Sequence, residues 1–521
     1  MVHTYGCNFA KTTLIGTVLA LLGGCTSWSD YIHQGFKVGP DYHCAEAPVA
    51  PRWIDAADAR IRTDSADTSK WWTVFHDPVL GALVTNAYSQ NLTLKQAGMR
   101  ILEARAQLNI VKGELFPQTQ DLSGGYSRVA VANPSGASSL FTDQFSILNG
   151  GSTSGFNLAW ELDFWGRFRR AVESSEATLD ASVEGYDDAM VTLLADVATN
   201  YVAIRTSQER IKLARANAKL QREVLVTVEA RFKAGTTTKL DVDQALTTVL
   251  QVEAQIPQFE ITIRQAADHL CTLLGTPTYD LTQQVGVGPI PTAPTDVAVG
   301  IPADLLERRP DIREAERNAA AQSAQIGVSQ ANLYPHISIN GIIGYQAEPS
   351  STLTNAFQGS VGPTFQWNIL NYGRIINDVR YQDAKFRELL IAYQNTVLHA
   401  HEETENGLVT FLRSQEQAKI LQQSVVAAQQ ALDFAITLYK AGTVDFNRVA
   451  VIETTLVQQQ DAAALSRGQI ALGLIQVYKA LGGGWQLRCE EVQPEPIQPP
   501  AESAPLPGPP EQIVAPKIIS G

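Results

Sequence analysis

Two histidines and several carboxylates lie close together at His399-Ala-His401-Glu402 and Glu405, and metal sites are built from these residue types. On a helix, side chains must be three or four residues apart to share a face, and residues two apart do not. His399 and His401 therefore cannot hold one ion together, and His401 with Glu405 supplies only a fragment of a site. We predict no metal site here and no cofactor.

Motifs for enzymatic chemistry are absent from the sequence. It contains no Gly-x-x-x-x-Gly-Lys-Ser/Thr loop, no Gly-x-Ser-x-Gly nucleophile and no His-Glu-x-x-His zinc motif. The net charge of −13, without a basic run, disfavours binding to nucleic acid phosphates. Cys44, Cys271 and Cys489 lack the spacing of a metal site or a disulfide framework. We predict that the protein is not an enzyme and does not bind nucleic acid.

The N-terminus carries a predicted modification site. Residues 12–22 form a short apolar run, followed by Leu22-Gly-Gly-Cys25. Because a membrane-spanning helix needs about 20 apolar residues, residues 1–24 read as a secretory signal peptide. The small residues before the cysteine resemble the lipobox of bacterial lipoproteins, in which the cysteine receives acyl chains such as palmitate. Cys25 is the predicted lipid anchor of segment 25–75, the alternative being a free thiol, and Thr26 favours the outer membrane.

The elements that position these residues are encoded twice. Phe232-Lys-Ala-Gly235-Thr returns as Tyr439-Lys-Ala-Gly442-Thr, a shift of 207 residues that also relates Trp160 to Trp367. Further upstream the shift is 218, from Pro117 to Pro335, which places about 11 extra residues in a loop of the first copy. This period is far longer than that of solenoid repeats. We predict a duplicated module with repeats at 76–290 and 291–487, followed by a proline-rich, disordered tail at 488–521.

Each copy has the pattern of a long helical hairpin. In the first copy, apolar residues recur every seven positions, as in coiled coils, at Val183, Met190, Val197, Ile204, Ile211, Ala218, Leu225 and Phe232. The pattern predicts helical hairpins at about 170–275 and about 374–482. Gly235 and Gly442 are the predicted turns at their tips, with positive φ angles.

Alternating apolar and polar residues before each helical hairpin predict β-strands, in hairpins at about 117–165 and 335–371. The clearest alternation is Phe156, Leu158, Trp160, Leu162 and Phe164 in the first copy, and Phe365, Trp367 and Ile369 in the second. Such strands fit a transmembrane β-barrel, but four are too few to close one. Since open edges are not tolerated in lipid, other copies of the chain must complete the barrel.

Four aromatic residues near the ends of these strands are candidates for an aromatic girdle at the membrane interface: Trp160, Trp165, Trp367 and Tyr372. Packing at the base of the barrel is the alternative for these side chains.

Three local motifs, together with the duplication, carry a resemblance to a known family. They are Val38-Gly-Pro-Asp-Tyr42, Ile301-Pro-Ala-Asp-Leu-Leu-Glu-Arg-Arg-Pro-Asp-Ile312 and Ala480-Leu-Gly-Gly-Gly-Trp485. The chain from about Phe36 to Trp485 resembles the bacterial outer-membrane efflux factors, the TolC and OprM-like family, and especially its NodT-type lipoprotein branch.

The resemblance implies an α+β membrane protein that forms a homotrimer. Long antiparallel helical hairpins would form a periplasmic α-barrel, and four strands per subunit would contribute to a 12-stranded transmembrane β-barrel. Such a protein is a lipid-anchored outer-membrane exit duct with a large periplasmic portion, and it passively conducts substrates from an inner-membrane pump of the RND type and its periplasmic adaptor. A conduit for type I protein secretion is one alternative, and a lipid-anchored periplasmic coiled-coil tether is another.

The family closes its periplasmic entrance with charged residues just after the second glycine turn. In this sequence that segment contains Asp445, Arg448 and Glu453, while Val451 occupies the position of the family's aspartate. We predict an ion-pair latch between subunits that joins Arg448 to Glu453 or Asp445. The alternative is that these are solvated charges, whose surface pairs contribute less than about 1 kcal/mol.

Overall fold

The structure is a computed structural model that describes residues 28–64, 67–126, 129–132, 145–148, 152–347 and 356–489. Cys25, the signal peptide 1–24 and the tail from residue 490 onward lie outside these residues. The chain divides into two compact units. The first comprises Met1–Pro48, Ala97–Tyr186 and Asp311–Val397, and the second comprises Val49–Gln96, Asp187–Pro310 and Leu398–Gly521. Each unit takes segments from both sequence repeats.

Four long helices dominate the described chain: α4 (Arg167–Lys233), α5 (Lys239–Leu273), α9 (Arg374–Lys440) and α10 (Phe446–Ala480). The other α-helices are α1 (Trp28–His33), α2 (Pro78–Gln90), α3 (Leu92–Gly113), α6 (Thr282–Val285), α7 (Leu305–Arg308) and α8 (Pro310–Ala331). Short 3-10 helices cover Trp71–Phe75, Pro302–Asp304 and Trp485–Cys489.

The long helices reproduce the sequence repeat residue for residue. Helices α4 and α9 each have 67 residues, and α5 and α10 each have 35. The first and last residues of each pair differ by the shift of 207 that relates Gly235 to Gly442. At 1.5 Å per residue, α4 and α9 are each about 100 Å long.

The seven-residue pattern of α4 marks its buried face along most of its length. Met190, Val197 and Ile204 are fully buried. The pattern fails at the end of the helix, because Phe232 is 42% exposed and Val228, one turn earlier, is buried instead. The buried face of α4 therefore changes near the turn.

The first unit contains a four-stranded antiparallel sheet. Its strands are β2 (Thr119–Tyr126), β5 (Ser152–Leu162), β7 (His336–Ala347) and β8 (Ala356–Gln366), in the order β2-β5-β7-β8. Strand β5 of the first repeat pairs along its full length with residues 337–347 of β7 from the second repeat. Between β2 and β5, in the interval that holds the extra residues of the first copy, β3 (Val129–Ala132) pairs with β4 (Phe145–Leu148). In the second unit, β1 (Ile61–Arg62) pairs with β6 (Val297–Ala298) in parallel.

The four-stranded sheet has one apolar face and one largely polar face. Large apolar side chains on one face are 41 to 83% exposed in the single chain: Leu122, Tyr126, Phe156, Ile343, Tyr345, Phe357, Val361 and Phe365. On the opposite face, Asn157 donates to Ser123 at 3.1 Å and Asn340 donates to Thr364 at 2.8 Å. The alternation of the sequence is thus realised as two chemically distinct surfaces.

The predicted alternation in the second copy runs beyond the strand that forms. Strand β8 ends at Gln366, so Trp367 and Ile369 lie past its end. The backbone turns there, with the Ile369 N–H donating to the Trp367 carbonyl at 3.1 Å. Alternation alone does not reveal this turn.

The N-terminal segment of the first unit docks at the base of the sheet. The Tyr31 hydroxyl of α1 donates to the Phe164 carbonyl at 2.7 Å, and its ring lies 5.5 Å from that of Trp165. The Val38 N–H donates to the Trp165 carbonyl at 3.0 Å. Gly39, with φ +91°, lies against Gly327 so closely that an added Cβ would be 2.4 Å from the Gly327 Cα. The Val-Gly-Pro-Asp motif therefore requires a glycine at this contact.

No α-helix within the described residues combines the length and the hydrophobicity needed to cross a bilayer.

Candidate functional site

The turn after each long helix has the same hydrogen bonds in both repeats. Gly235 and Gly442 have φ angles of +73° and +76°. Their N–H groups donate to the carbonyls of Phe232 and Tyr439, at 2.9 Å in each case. These bonds end the helices as glycine C-caps, which need a left-handed residue.

The helices that follow the two turns begin with different caps. Helix α5 starts with a capping box in which Thr238 and Asp241 bond reciprocally. Helix α10 starts at the N-cap Asp445, whose carboxylate accepts from the Arg448 N–H at 3.3 Å. The two turns therefore share a backbone conformation but are followed by different helix caps.

Arg231 fastens the end of α4 to the end of α9. Its guanidinium donates to the Tyr439 carbonyl and lies 4.6 Å from the centroid of the Tyr439 ring. The Tyr439 ring in turn contacts the Phe446 ring edge to face, at 5.8 Å between centroids. One arginine thus connects three of the four long helices beside the second turn.

The structure separates Glu453 from the other two predicted gate residues. Arg448 is exposed and Asp445 caps α10, whereas Glu453 is only 2% exposed. Within the described chain, Arg448 forms no ion pair with either carboxylate. Because Glu453 does not reach the surface of the subunit, a latch between subunits can involve only Arg448 and Asp445 in this conformation.

Glu453 is buried without compensation. Both of its carboxylate oxygens lack a hydrogen-bond partner among the described residues. Burial raises the pKa of this carboxyl group from its ordinary value to about 7. The physical reason is that the charged form loses its hydration and finds no opposite charge nearby.

Trp160 and Trp367 make equivalent hydrogen bonds in the two repeats. The Trp160 indole N–H donates to the Leu115 carbonyl at 3.2 Å, and that of Trp367 donates to the Leu333 carbonyl at 2.9 Å. Leu115 and Leu333 are themselves related by the shift of 218. Each indole therefore holds in place the segment that leads into a strand, which is β2 in the first copy and β7 in the second.

The remaining girdle candidates differ from one another. Trp165 donates to the Pro335 carbonyl at 2.9 Å, and its ring stacks on that of Tyr334 with the centroids 4.4 Å apart. Tyr372 is 98% exposed and has a φ angle of +51°. Trp165 is thus part of the packing at the base of the sheet, whereas Tyr372 projects into the surroundings.

The histidine segment is used for packing and pairing. The His401 ring lies 5.9 Å from the Trp53 ring, and burial lowers the pKa of His401. The Glu405 carboxylate accepts from the Ile54 N–H at 2.9 Å. Among the described residues, no group of three His, Cys, Asp or Glu side chains has the arrangement of a metal site.

The inter-repeat and closing motifs meet in the second unit. Arg309, 7% exposed, donates to the Ala480 carbonyl at 2.8 Å and pairs with Glu403 at 2.8 Å. Gly482, with φ +70°, lies against the backbone of Arg308 and Arg309. The two motifs therefore pack against each other.

Sequence reasoning missed Arg231, although the sequence holds a signal for it. The shift of 207 maps Arg231 onto Leu438, so an arginine next to the best-preserved motif has no counterpart in the other copy. A break in the repeat beside a well-preserved turn marks a residue with a role of its own.

Duplicated helical hairpins, joined to a sheet with an exposed apolar face, define an outer-membrane channel of the efflux type. A profile of the outer membrane efflux protein family matches residues 83–276 and 301–483. The chain belongs to this family, whose members are channels and not enzymes.

Similar proteins match most of the chain. Nodulation protein T of Rhizobium leguminosarum bv. trifolii is 34% identical over 80% of this chain and 88% of its own length. The pyoverdine export outer membrane protein OpmQ of Pseudomonas aeruginosa is 32% identical over 92% of this chain and 98% of its own length. Among solved structures, the outer-membrane channel OprN superposes with a TM-score of 0.79 at 32% identity, covering 86% of this chain and 99% of OprN.

These comparisons confirm the predicted family, the fold of duplicated hairpins with four antiparallel strands, the channel function and the absence of enzymatic activity. The protein is an outer-membrane efflux channel.

Proposed function

We propose that this chain forms a lipid-anchored homotrimer that serves as the passive exit duct of a tripartite efflux system. The observation that carries the proposal is the four-stranded sheet, which exposes an apolar face and has outer edges, on β2 and β8, that pair with no other strand of the described chain. Unpaired edges are not stable in lipid. Neighbouring subunits would pair these edges, and the family resemblance supplies the number three and hence twelve strands.

The docking of α1 supports the lipid anchor at Cys25. Helix α1 begins at Trp28, three residues after Cys25, and Tyr31 packs against Trp165 at the base of the sheet. Three extended residues span about 10 Å. An acyl chain on Cys25 would thus start close to the base of the sheet, where Tyr372 and the exposed apolar face would meet the membrane.

The helical hairpins would extend into the periplasm, with the Gly235 and Gly442 turns at the entrance. There we propose that Arg448 and Asp445 of neighbouring subunits form the latch. Substrates would arrive from an inner-membrane pump of the RND type through a periplasmic adaptor. Because relatives with this fold bear names as different as nodulation and pyoverdine export, the pump and not the duct would select the cargo.

The test uses full-length protein purified in detergent from a lipoprotein-processing host. Light scattering should give about three times the mass of the processed chain, mass spectrometry should find acyl chains on the peptide that contains Cys25, and planar bilayers should show discrete channel currents. Cys25→Ser is the matched control, since it should lose the acyl mass but keep the trimer and the currents. A monomer without currents would refute the duct, and an unacylated Cys25 would refute the anchor alone.

A further inference from the structure

The carboxylate of Glu453 lies in the apolar interior near the second turn. It shares the buried face of α10 with Val449, Ala450 and Leu456, which pack in a cluster with residues of the other three long helices. The rest of that cluster is apolar except for the hydroxyl of Tyr439, which also lacks a hydrogen-bond partner among the described residues. An ionised carboxylate cannot remain there without cost.

A second buried polar side chain without a partner for its oxygen lies on α4. Arg210 pairs with Asp461 at 2.6 Å and Asn217 donates to Gln460 at 2.7 Å, which fixes the antiparallel register of α4 and α10. Gln221 is one turn further along α4. By this register, Gln221 and Glu453 lie at the same level along the two helices, to within about one helical turn. Gln221 is 3% exposed, and its side-chain oxygen also lacks a partner.

Charged groups on the surrounding helices form no ion pair or hydrogen bond with Glu453 among the described residues. They are Lys219, Arg222, Glu223 and Arg231 on α4, Asp433 and Lys440 on α9, and Asp243 and Glu253 on α5, and all but Arg231 and Glu253 are exposed. Arg231 lies on the Tyr439 ring and donates to the Tyr439 carbonyl. Arg222 is paired with Glu253 at 2.7 Å. Burial alone accounts for the raised pKa of Glu453.

We propose that Glu453 is a proton-binding site that couples the packing of the turn end of α10 to pH. In the packed state the carboxyl group is protonated and is a donor for the free oxygen of Gln221. When the proton leaves to bulk water, the carboxylate must reach solvent, and this end of α10 separates from α4 and α9. A cavity of about 120 Å³ beside Val449 and Tyr439 gives the helix room to shift.

The direction of the pH effect follows from the raised pKa. A carboxyl group with a higher pKa in the packed state than in the open state stabilises packing at low pH. The packed state is fully favoured below the ordinary glutamate pKa of 4.5 and loses this advantage as the pH rises to about 7. Over this interval, the ratio of packed to open forms should fall by about 100-fold.

The test is hydrogen exchange of full-length protein in detergent at pH 5 and pH 8, corrected for the intrinsic exchange rate with an unstructured reference peptide. Protection of the amides in residues 446–458 should fall by about 100-fold at pH 8 in the wild type. Glu453→Gln, which cannot ionise, should show equal protection at both pH values. Asp433→Asn on α9 is the control: its carboxylate is exposed, so the wild-type pH response should remain.

A second variant is needed in case Glu453→Gln does not fold. Glu453→Met fills a similar volume without a polar group and should likewise show equal protection at both pH values. Wild-type protection that does not change with pH, or an unchanged response in either Glu453 variant, would overturn the proposal. The exchange experiment needs no channel current, so its result is independent of the proposed duct. A second expectation does rest on the proposed duct: the conductance of the wild-type channel should rise with pH, and that of Glu453→Gln should not.

Discussion

The guanidinium of Arg231 lies 4.6 Å from the centroid of the Tyr439 ring, and it also donates to the Tyr439 backbone carbonyl. The same carbonyl accepts from Gly442 N–H, which closes the second turn. Arg231 therefore binds the first hairpin to the point at which the second hairpin reverses. The two hairpins cannot separate near the turns without breaking both contacts.

Arg231→Ala should loosen the turn end of the subunit. The variant loses a cation–π contact that contributes about 1 kcal/mol and a charged hydrogen bond that contributes about 1.5 to 3 kcal/mol. Single-channel conductance in planar bilayers should rise as a result. Arg231→Lys should behave more like alanine than like the wild type, because lysine lacks the planar group that donates and stacks together. Wild-type conductance in both variants would rule out this constraint.

Arg448→Ala should also raise single-channel conductance if Arg448 and Asp445 form the latch between subunits. Asp445→Asn keeps the oxygen that caps α10 but removes the charge, so it should have the same effect with little loss of stability. The double variant should then conduct no more than either single variant. Additive effects, or unchanged conductance in Arg448→Ala, would show that these are solvated charges.

The hydrogen bonds of the paired indoles should contribute equally to stability. Trp160→Phe and Trp367→Phe each remove one N–H donor to a backbone carbonyl, at a cost of about 1 kcal/mol. Thermal unfolding in detergent, followed by circular dichroism, should give similar shifts for the two variants. Tyr372→Phe is the control, because the hydroxyl belongs to a side chain that is 98% exposed and its removal should leave the unfolding temperature unchanged. A shift in only one tryptophan variant would contradict the equivalence.

The sequence predicted the fold to the extent that the fold follows from repetition and periodicity. The shift from Gly235 to Gly442 relates the ends of all four long helices, because each helix is specified by local patterns that were duplicated together. Contacts between helices are not encoded in that way. Whether Glu453 is buried depends on which side of α10 meets α4 and α9, and nothing in the spacing of Asp445, Arg448 and Glu453 shows it.

The N-terminal motif shows the same limit. The spacing of Val38-Gly-Pro-Asp-Tyr42 supports a resemblance but does not reveal its partner, Arg170, because the two are joined only by folding. Arg170 has no exposed surface, yet it is charged. Its guanidinium donates to the carbonyls of Val38 and Gly39, at 3.0 Å in each case, and pairs with Asp41 and Glu173 at 2.8 Å.

Arg170→Lys should release the N-terminal segment from the first unit. A lysine cannot reach four acceptors that are arranged around a planar guanidinium, and breaking a buried charge network costs about 3 to 5 kcal/mol. Limited chymotrypsin digestion should then cut at Phe36 or Tyr42 well before it cuts the wild type. Glu173→Gln is the control, because it removes the ion pairs with Arg170 and Lys37 but leaves both carbonyl bonds and the Asp41 pair in place. If Arg170→Lys resists digestion as well as Glu173→Gln does, the motif is held by Gly39 packing on Gly327, and Gly39→Ala should release it instead.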